Sequence, residues 1–278
     1  MEDWQDGWVP PDDLSRRLDE VRWSTERFLT ALRHPPRDEA HLRQPSLLPG
    51  WSRAHVLAHL ARNADALVRT LEGTRRGARV PMYAGEAERA ADIETTAKLA
   101  PADLVGEVAT SAERLERTWS RLTAVDWESD AVTRTGPQPA RRLIGARWRE
   151  VEIHRVDLVE GYGPGDWPAA FVAPLLPSLL DPERLGPRLP PGLTVEVVNT
   201  DSGQRWSIFG GPAGVSPRAT AMRGAARGGG RAGRPAPAAG PRPVRVVGPS
   251  WALVGWLLGR PRAVRRELGD PPELAPWL

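Results

Sequence analysis

The stretch 148-WREVEIHRVDL-158 decides the predicted fold, because it places a carboxylate and an imidazole one helical turn apart. At 100° per residue, the apolar side chains of this region form one helical stripe. His154 lies about 70° from the centre of that stripe and Glu150 about 110°, on the same side. The spacing brings the two side chains to about 6 Å from each other, which suits binding of one metal ion. Asp157 is placed to orient the His154 imidazole.

A second stretch, 51-WSRAHVLAHLARNADAL-67, predicts another amphipathic helix with a histidine near its apolar face. His59 falls about 120° from the centre of the stripe, whereas His55 falls about 160° away and faces mostly outward. His59 is therefore the better inward candidate. Asn63 lies on the same flank one turn later, where it can hydrogen-bond a ligand or substrate.

If these two helices face each other, His59, Glu150 and His154 form a site of two histidines and a glutamate with one open coordination position. That arrangement is typical of catalytic zinc, although the same ligands also accept nickel or iron. Spacing alone leaves two simpler interpretations open. A Glu–His pair one turn apart also forms surface ion pairs, and a histidine beside an apolar stripe also occurs as a core residue.

The N-terminal part of the chain reads as an antiparallel helical bundle. Four helices are predicted, over residues 11–33, 52–72, 101–122 and 140–160. Ser52 is expected to cap the second helix and Gly73 to end it. Residues 81–92, which include Tyr83 and Arg89, are expected to form a connector.

The C-terminal part changes from helical to strand periodicity after a proline-rich region at 164–192. Strands are predicted at Leu193–Val198, Arg205–Phe209 and Val244–Gly248, followed by a helix capped by Ser250. Residues 212–243 are rich in Gly, Ala, Pro and Arg and are expected to be flexible. The predicted fold class is therefore α+β, with a four-helix bundle at 1–163 and a small α+β domain at 164–278.

Charge and composition argue against several classes of partner. The 278 residues include 38 basic and 35 acidic side chains, a net charge of only +3, so nucleic-acid binding is not expected. The arginines of 212–243 allow a contact with RNA or phosphate, but a solvated insertion is favoured. The chain has no cysteine, which excludes disulfides, thiolate metal ligands and a cysteine nucleophile. Any thiol chemistry must use a thiol from outside the chain.

Location in the cytoplasm is expected, without a membrane partner. No apolar run approaches the roughly 18 to 20 residues that cross a bilayer. The first residues, MEDWQDGW, are acidic and lack the apolar centre of a secretory signal.

Two segments, LPGWSRAHVLAHLARNADAL at 48–67 and RWREVEIHRVDL at 147–158, resemble the mycothiol-dependent maleylpyruvate isomerase family. This family belongs to the wider DinB-like group of metal-binding helical bundles. The resemblance continues through MYAGEAERAADIE at 82–94 and, more weakly, VVGPSWALVGWLLGR at 246–260. It departs from the family at 212–243, where close relatives have a short hairpin connection.

The resemblance implies that zinc is held by His59, Glu150 and His154, and that its open position binds the thiol of mycothiol. The thiolate would add to the cis double bond of maleylpyruvate, and its loss after bond rotation would give fumarylpyruvate. Tyr83 and Arg89 are candidate substrate-binding residues, because arginine matches a carboxylate with two hydrogen bonds.

Three other functions fit the same ligands: a mycothiol S-transferase, a non-catalytic metal-binding module acting through the arginine-rich segment, and hydrolysis by metal-bound water. The expected partners are mycothiol and a small-molecule substrate. The expected state is a monomer.

Overall fold

The computed structural model describes residues 13–34, 37–211 and 242–276. The described chain divides into two compact units, one ending at Gly163 and the other beginning at Pro164. The first unit is mainly helical and the second carries a small sheet. The predicted α+β class is therefore confirmed. The segment predicted to be flexible falls outside the described residues, except for its last two positions.

The N-terminal unit contains the four predicted long helices together with shorter elements. In chain order these are α1 (Leu14–Arg33), α2 (Glu39–Arg43), α3 (Arg53–Arg75), α4 (Glu86–Thr96), α5 (Pro101–Trp119), α6 (Ala124–Glu128), β1 (Asp130–Thr133), β2 (Gly136–Pro139) and α7 (Arg142–Asp157). Strands β1 and β2 form an antiparallel hairpin in which Ala131 lies opposite Gln138.

Two predictions in this unit are wrong. Helix α4 replaces most of the connector predicted at 81–92, because its alanine, glutamate and arginine residues favour a helix and Ile93 anchors it in the core. Helix α3 continues past Gly73, where a Cβ atom would lie 2.7 Å from the Cβ of Val80. Gly73 thus allows a close approach, and the chain turns at Gly77, which has a φ of +67°.

Helix α3 is the central element of the N-terminal unit. It packs against α4, α5 and α7, and α7 packs in turn against α1. Side chains such as Val56, Leu57 and Leu60 are completely buried between these helices. Each such side chain stabilises the fold by about 1.5–3 kcal/mol. Ser52 caps the start of α3 as predicted, since its side chain accepts from the His55 backbone N–H.

A polar cluster fixes the C-terminal end of α7. Glu160 accepts hydrogen bonds from Arg37, and it lies 2.6 Å from His41 Nε2. Arg53 donates to the Val159 carbonyl at 3.3 Å. Val159 has a φ of +58°, the left-handed conformation that commonly ends a helix. These contacts hold α7 at a defined position against α3.

The C-terminal unit contains a three-stranded sheet with helices before and after it. Its elements are α8 (Ala169–Leu179), α9 (Pro182–Leu185), β3 (Thr194–Asn199), β4 (Arg205–Phe209), β5 (Val244–Gly248), α10 (Ser250–Leu257) and α11 (Arg265–Leu268). The order is β4-β3-β5, with β3 antiparallel to β4 and parallel to β5.

The three predicted strands are present, with β3 shifted by one residue at each end. Ser250 is the first residue of α10 rather than its cap, because Pro249 takes the capping position and Asp201 accepts from the Ser250 N–H. Helix α8 lies inside the proline-rich region, which was not predicted to be helical. Its buried side chains, among them Phe171 and Leu176, stabilise a helix despite two internal prolines. Within the three described ranges, no helix is long and apolar enough to cross a membrane.

Candidate metal centre

The three predicted ligands meet between α3 and α7. His59 Nε2 lies 2.9 Å from Glu150 Oε2, and His154 Nε2 lies 3.2 Å from the same oxygen. One ligand atom from each residue lies within 4.8 Å of the others. His55 faces away from this cluster and contacts Glu94 at 3.0 Å. The structure therefore brings together the residues that the two helical patterns singled out.

The spacing of these atoms fits a first-row divalent metal ion. Two ligand atoms at about 2.1 Å from a tetrahedral zinc ion lie about 3.4 Å apart, close to the two separations measured here. The imidazole rings of His59 and His154 are 4.7 Å apart at 87° to each other, so their nitrogen atoms approach one point from different directions. Two nitrogens and one carboxylate oxygen are also a donor set that zinc accepts.

Each histidine also has a partner on its second ring nitrogen. His154 Nδ1 donates to Asp157 Oδ2 at 2.8 Å, which leaves Nε2 as the lone-pair donor for a metal ion. Asp157 therefore lies where it was predicted to orient this imidazole. Arg89 Nη2 lies 3.2 Å from His59 Nδ1. An arginine can only donate, so this contact requires an unprotonated Nδ1 and a protonated Nε2.

His59 can bind a metal ion through Nε2 only in its other tautomer, with the proton on Nδ1. A protonated Nδ1 repels the Arg89 N–H group, so metal binding requires Arg89 to turn away from His59. Arg89 has a second partner, Glu86 at 3.0 Å, and its guanidinium lies 5.6 Å from the centre of the Tyr83 ring. The Arg89 guanidinium, released from His59, would therefore stay close to Glu86 and Tyr83.

Burial and mutual contact set the protonation states of the three side chains. Burial lowers the pKa of His59, and Glu150 only partly opposes this effect. Burial would raise the pKa of Glu150, but the charges and hydrogen bonds of the two histidines hold it well below its ordinary value. Burial would lower the pKa of His154, but hydrogen bonds to Asp157 and Glu150 raise it. The centre thus offers an anionic oxygen and a neutral His59, and the raised pKa of His154 lets a proton compete with a cation at that imidazole.

Tyr83 and Arg89 line a cavity of about 120 Å³ beside the centre. Its wall is formed by residues of α3, of α4 and of the chain between them: Arg62, Asp65, Ala66, Arg69, Met82, Tyr83, Ala84, Glu88, Arg89 and Asp92. Burial raises the pKa of Tyr83, so its phenol stays protonated near neutral pH. Arg89 lines this cavity and also contacts His59, so the cavity lies next to the metal centre.

Asn63 is buried, and its Oδ1 accepts a hydrogen bond from Arg147 at 2.9 Å. This oxygen is therefore already occupied by a protein donor. The predicted contact of Asn63 with a ligand stays a prediction. Arg147 itself was not predicted, yet it lies about 55° from the centre of the α7 stripe, on the side of Glu150 and His154. The same angular argument that identified the ligands would have identified it.

Trp51 is a second residue near the centre that the sequence did not suggest. Its ring lies 5.6 Å from the His59 ring and 6.3 Å from the His55 ring. It directly precedes the capping residue of α3, where nothing in the helical pattern distinguishes it from an ordinary core aromatic.

A cluster of two imidazoles and a carboxylate between facing helices is typical of bundles that hold a metal ion in their core. A family model described as the mycothiol maleylpyruvate isomerase N-terminal domain matches residues 21–159, half of the chain. The chain therefore belongs to this family. The match includes all three residues of the cluster.

Solved structures support the same relationship over nearly the full length. A crystal structure of the mycothiol-dependent maleylpyruvate isomerase matches with a TM-score of 0.74 and 26% identity, covering 95% of this chain and 97% of that one. A histidine-to-alanine mutant of that enzyme matches with the same TM-score and coverage, at 25% identity. A comparison with curated proteins finds no match.

Proposed function

We propose that this protein is a zinc-dependent enzyme that uses mycothiol to convert maleylpyruvate into fumarylpyruvate. The observation that carries the proposal is the approach of His59 Nε2 and His154 Nε2 to one Glu150 oxygen, in a chain of this family. The relatives are mycothiol-dependent maleylpyruvate isomerases, and the chain aligns with them over both of its compact units.

His59, Glu150 and His154 would hold the metal ion, and Asp157 would orient one of the imidazoles. Bound there, a zinc ion would lower the pKa of a thiol and favour the thiolate near neutral pH. Only 17% of the Glu150 side chain and 12% of the His154 side chain are exposed, so the protein keeps most water away from these ligands. A partly dry site strengthens the interactions of charged groups.

The isomerisation needs a nucleophile that adds and then leaves. The mycothiol thiolate forms a bond to one carbon of the cis double bond, and the electron pair moves into the conjugated carbonyl group. The former double bond then rotates as a single bond. Loss of the thiolate restores the double bond in the trans form, so no atom is gained or lost overall.

Arg89 and Tyr83 are proposed to bind the substrate. Arg89 loses its contact with His59 when that histidine presents Nε2 to a metal ion, and it lies at the wall of the neighbouring cavity. Its guanidinium group can then bind a substrate carboxylate with two hydrogen bonds. Tyr83 supplies a neutral phenol beside it. Maleylpyruvate carries two carboxylates, so a cationic side chain is needed in the site to bind at least one of them.

The function is tested by assaying zinc-loaded protein with mycothiol, in parallel with maleylpyruvate and with a thiol-reactive bimane. Isomerisation without accumulation of a conjugate is the expected result. Conjugation alone would favour the S-transferase and contradict the proposal. His59→Ala should abolish isomerisation, whereas His55→Ala, on the same helix but outside the cluster, should retain it.

We expect the enzyme to act in the cytoplasm, as a monomer, on small molecules. Deletion of residues 212–241 should leave isomerisation intact. Loss of activity without loss of folding would point instead to a function that depends on the arginine-rich segment.

A further inference from the structure

Arg147 is a buried cation that forms no ion pair with a carboxylate among the described residues. Its side chain lies on α7, and only 2% of the residue is exposed. Burial lowers its pKa to about 10, so it stays charged at neutral pH. Within the described residues, its hydrogen bonds go only to neutral acceptors, and no carboxylate forms an ion pair with it. An unpaired charge in such a place costs folding free energy, so packing alone does not account for it.

The position of Arg147 suggests what it does. Its Nη1 donates to the Leu60 carbonyl at 2.8 Å and to Asn63 Oδ1 at 2.9 Å. Leu60 directly follows His59 on α3, and Arg147 precedes Glu150 by three residues on α7. The side chain therefore crosses between the two helices next to the point where His59 meets Glu150.

We infer that Arg147 is a positioning residue of the metal centre, which holds α3 and α7 at the separation where His59 and Glu150 can bind one cation. This inference rests on the proposed metal site. A guanidinium group suits the task because its planar Nη1 holds two N–H groups in fixed directions, whereas the donors of a flexible ammonium group rotate. The acceptors are a backbone carbonyl and a buried side-chain amide of α3, so these two hydrogen bonds tie α7 to α3.

The charge of Arg147 opposes metal binding at the centre, whereas its hydrogen bonds favour it. A fixed cation repels a divalent ion, so loss of the charge alone would tighten metal binding. Loss of the tie would loosen it, because the two ligands would no longer be held at the required distance. Substitutions that keep the charge but weaken the hydrogen bonds therefore separate the two roles, because only the loss of the hydrogen bonds should then lower metal affinity.

The test measures zinc affinity by competition with a chromophoric chelator, for full-length wild-type protein, Arg147→Lys and Asn63→Ala. Both variants keep the positive charge and weaken the tie. The inference predicts a dissociation constant raised about tenfold or more in Arg147→Lys, the effect typical of residues that orient metal ligands. A smaller rise is expected in Asn63→Ala, which loses one of the two acceptors. Cobalt-loaded variants should also show altered visible absorption, which reports ligand geometry.

Ser24→Ala is the matched control, because it removes the hydrogen bond that Trp148 Nε1 on α7 donates to Ser24 Oγ on α1. It should lower the melting temperature and leave zinc affinity unchanged. Wild-type affinity in both Arg147→Lys and Asn63→Ala would overturn the inference, even if both variants melted early. If wild-type protein bound no metal, the proposed function would fail together with this inference.

Discussion

Replacement of Asp157 by asparagine tests how the second ring nitrogen of His154 is held. Asp157 is completely buried, and its Oδ2 accepts from His154 Nδ1 at 2.8 Å. Asparagine keeps the shape and an acceptor oxygen but removes the charge. Hydrogen bonds to charged groups contribute about 1.5–3 kcal/mol, against about 0.5–1.5 kcal/mol for neutral ones. The difference of about 1–1.5 kcal/mol predicts zinc affinity weakened about five- to twelvefold.

The effect should depend on pH in a defined direction. Asp157 helps to raise the pKa of His154, so in the wild-type protein a proton competes with the metal ion. The variant loses part of that competition. The loss of affinity should therefore be largest at about pH 8, where His154 is least protonated, and should shrink as the pH falls towards about 6.

Competition with a chromophoric chelator at both pH values measures the change. Glu152→Gln is the matched control, because Glu152 is a buried carboxylate on the same helix that accepts from Tyr162 instead. The control should bind zinc normally. Unchanged affinity of Asp157→Asn at both pH values would refute the role assigned to Asp157.

Three further substitutions test other parts of the structure. Glu160→Gln should lower the free energy of unfolding by about 2 kcal/mol at pH 7, measured with urea, because a carboxylate bonded to Arg37 becomes neutral. Burial would raise the pKa of Glu160, but Arg37 and His41 lower it below 4.5. Its contribution is therefore complete above that value and is lost as the pH falls through the folded pKa, so a loss of stability that does not shrink in acid would contradict this. Arg89→Met should raise the KM for maleylpyruvate at least about tenfold with normal metal content, and an unchanged KM would exclude carboxylate binding by Arg89. Gly73→Ala should cost about 1–3 kcal/mol of stability, because its Cβ would meet Val80; wild-type stability would show that the contact relaxes freely.

Helical periodicity predicted the long helices and showed which side chains of each helix lie near its apolar stripe. On α7, Glu150 and His154 are one turn apart, which fixes their direction once the helix exists. The partner helix could not be found in that way, since periodicity does not say which helices face each other. The family resemblance of the two segments supplied that pairing.

Other features depended on tertiary contacts that no local pattern encodes. Helix α4 was missed because its single buried apolar side chain, Ile93, gives little periodic signal. Gly73 looked like a helix end, and only the position of Val80 shows why a glycine is required there. Arg147 was overlooked for a different reason. It lies near the apolar stripe of α7, but the sequence does not show that α3 supplies buried acceptors for its charge.

The metal content of the purified protein tests the central claim most directly. Wild-type protein and His55→Ala should each contain about one equivalent of zinc, and His154→Ala should contain almost none while keeping its helical circular dichroism. About one equivalent retained by folded His154→Ala would show that the metal is held elsewhere and would contradict the account.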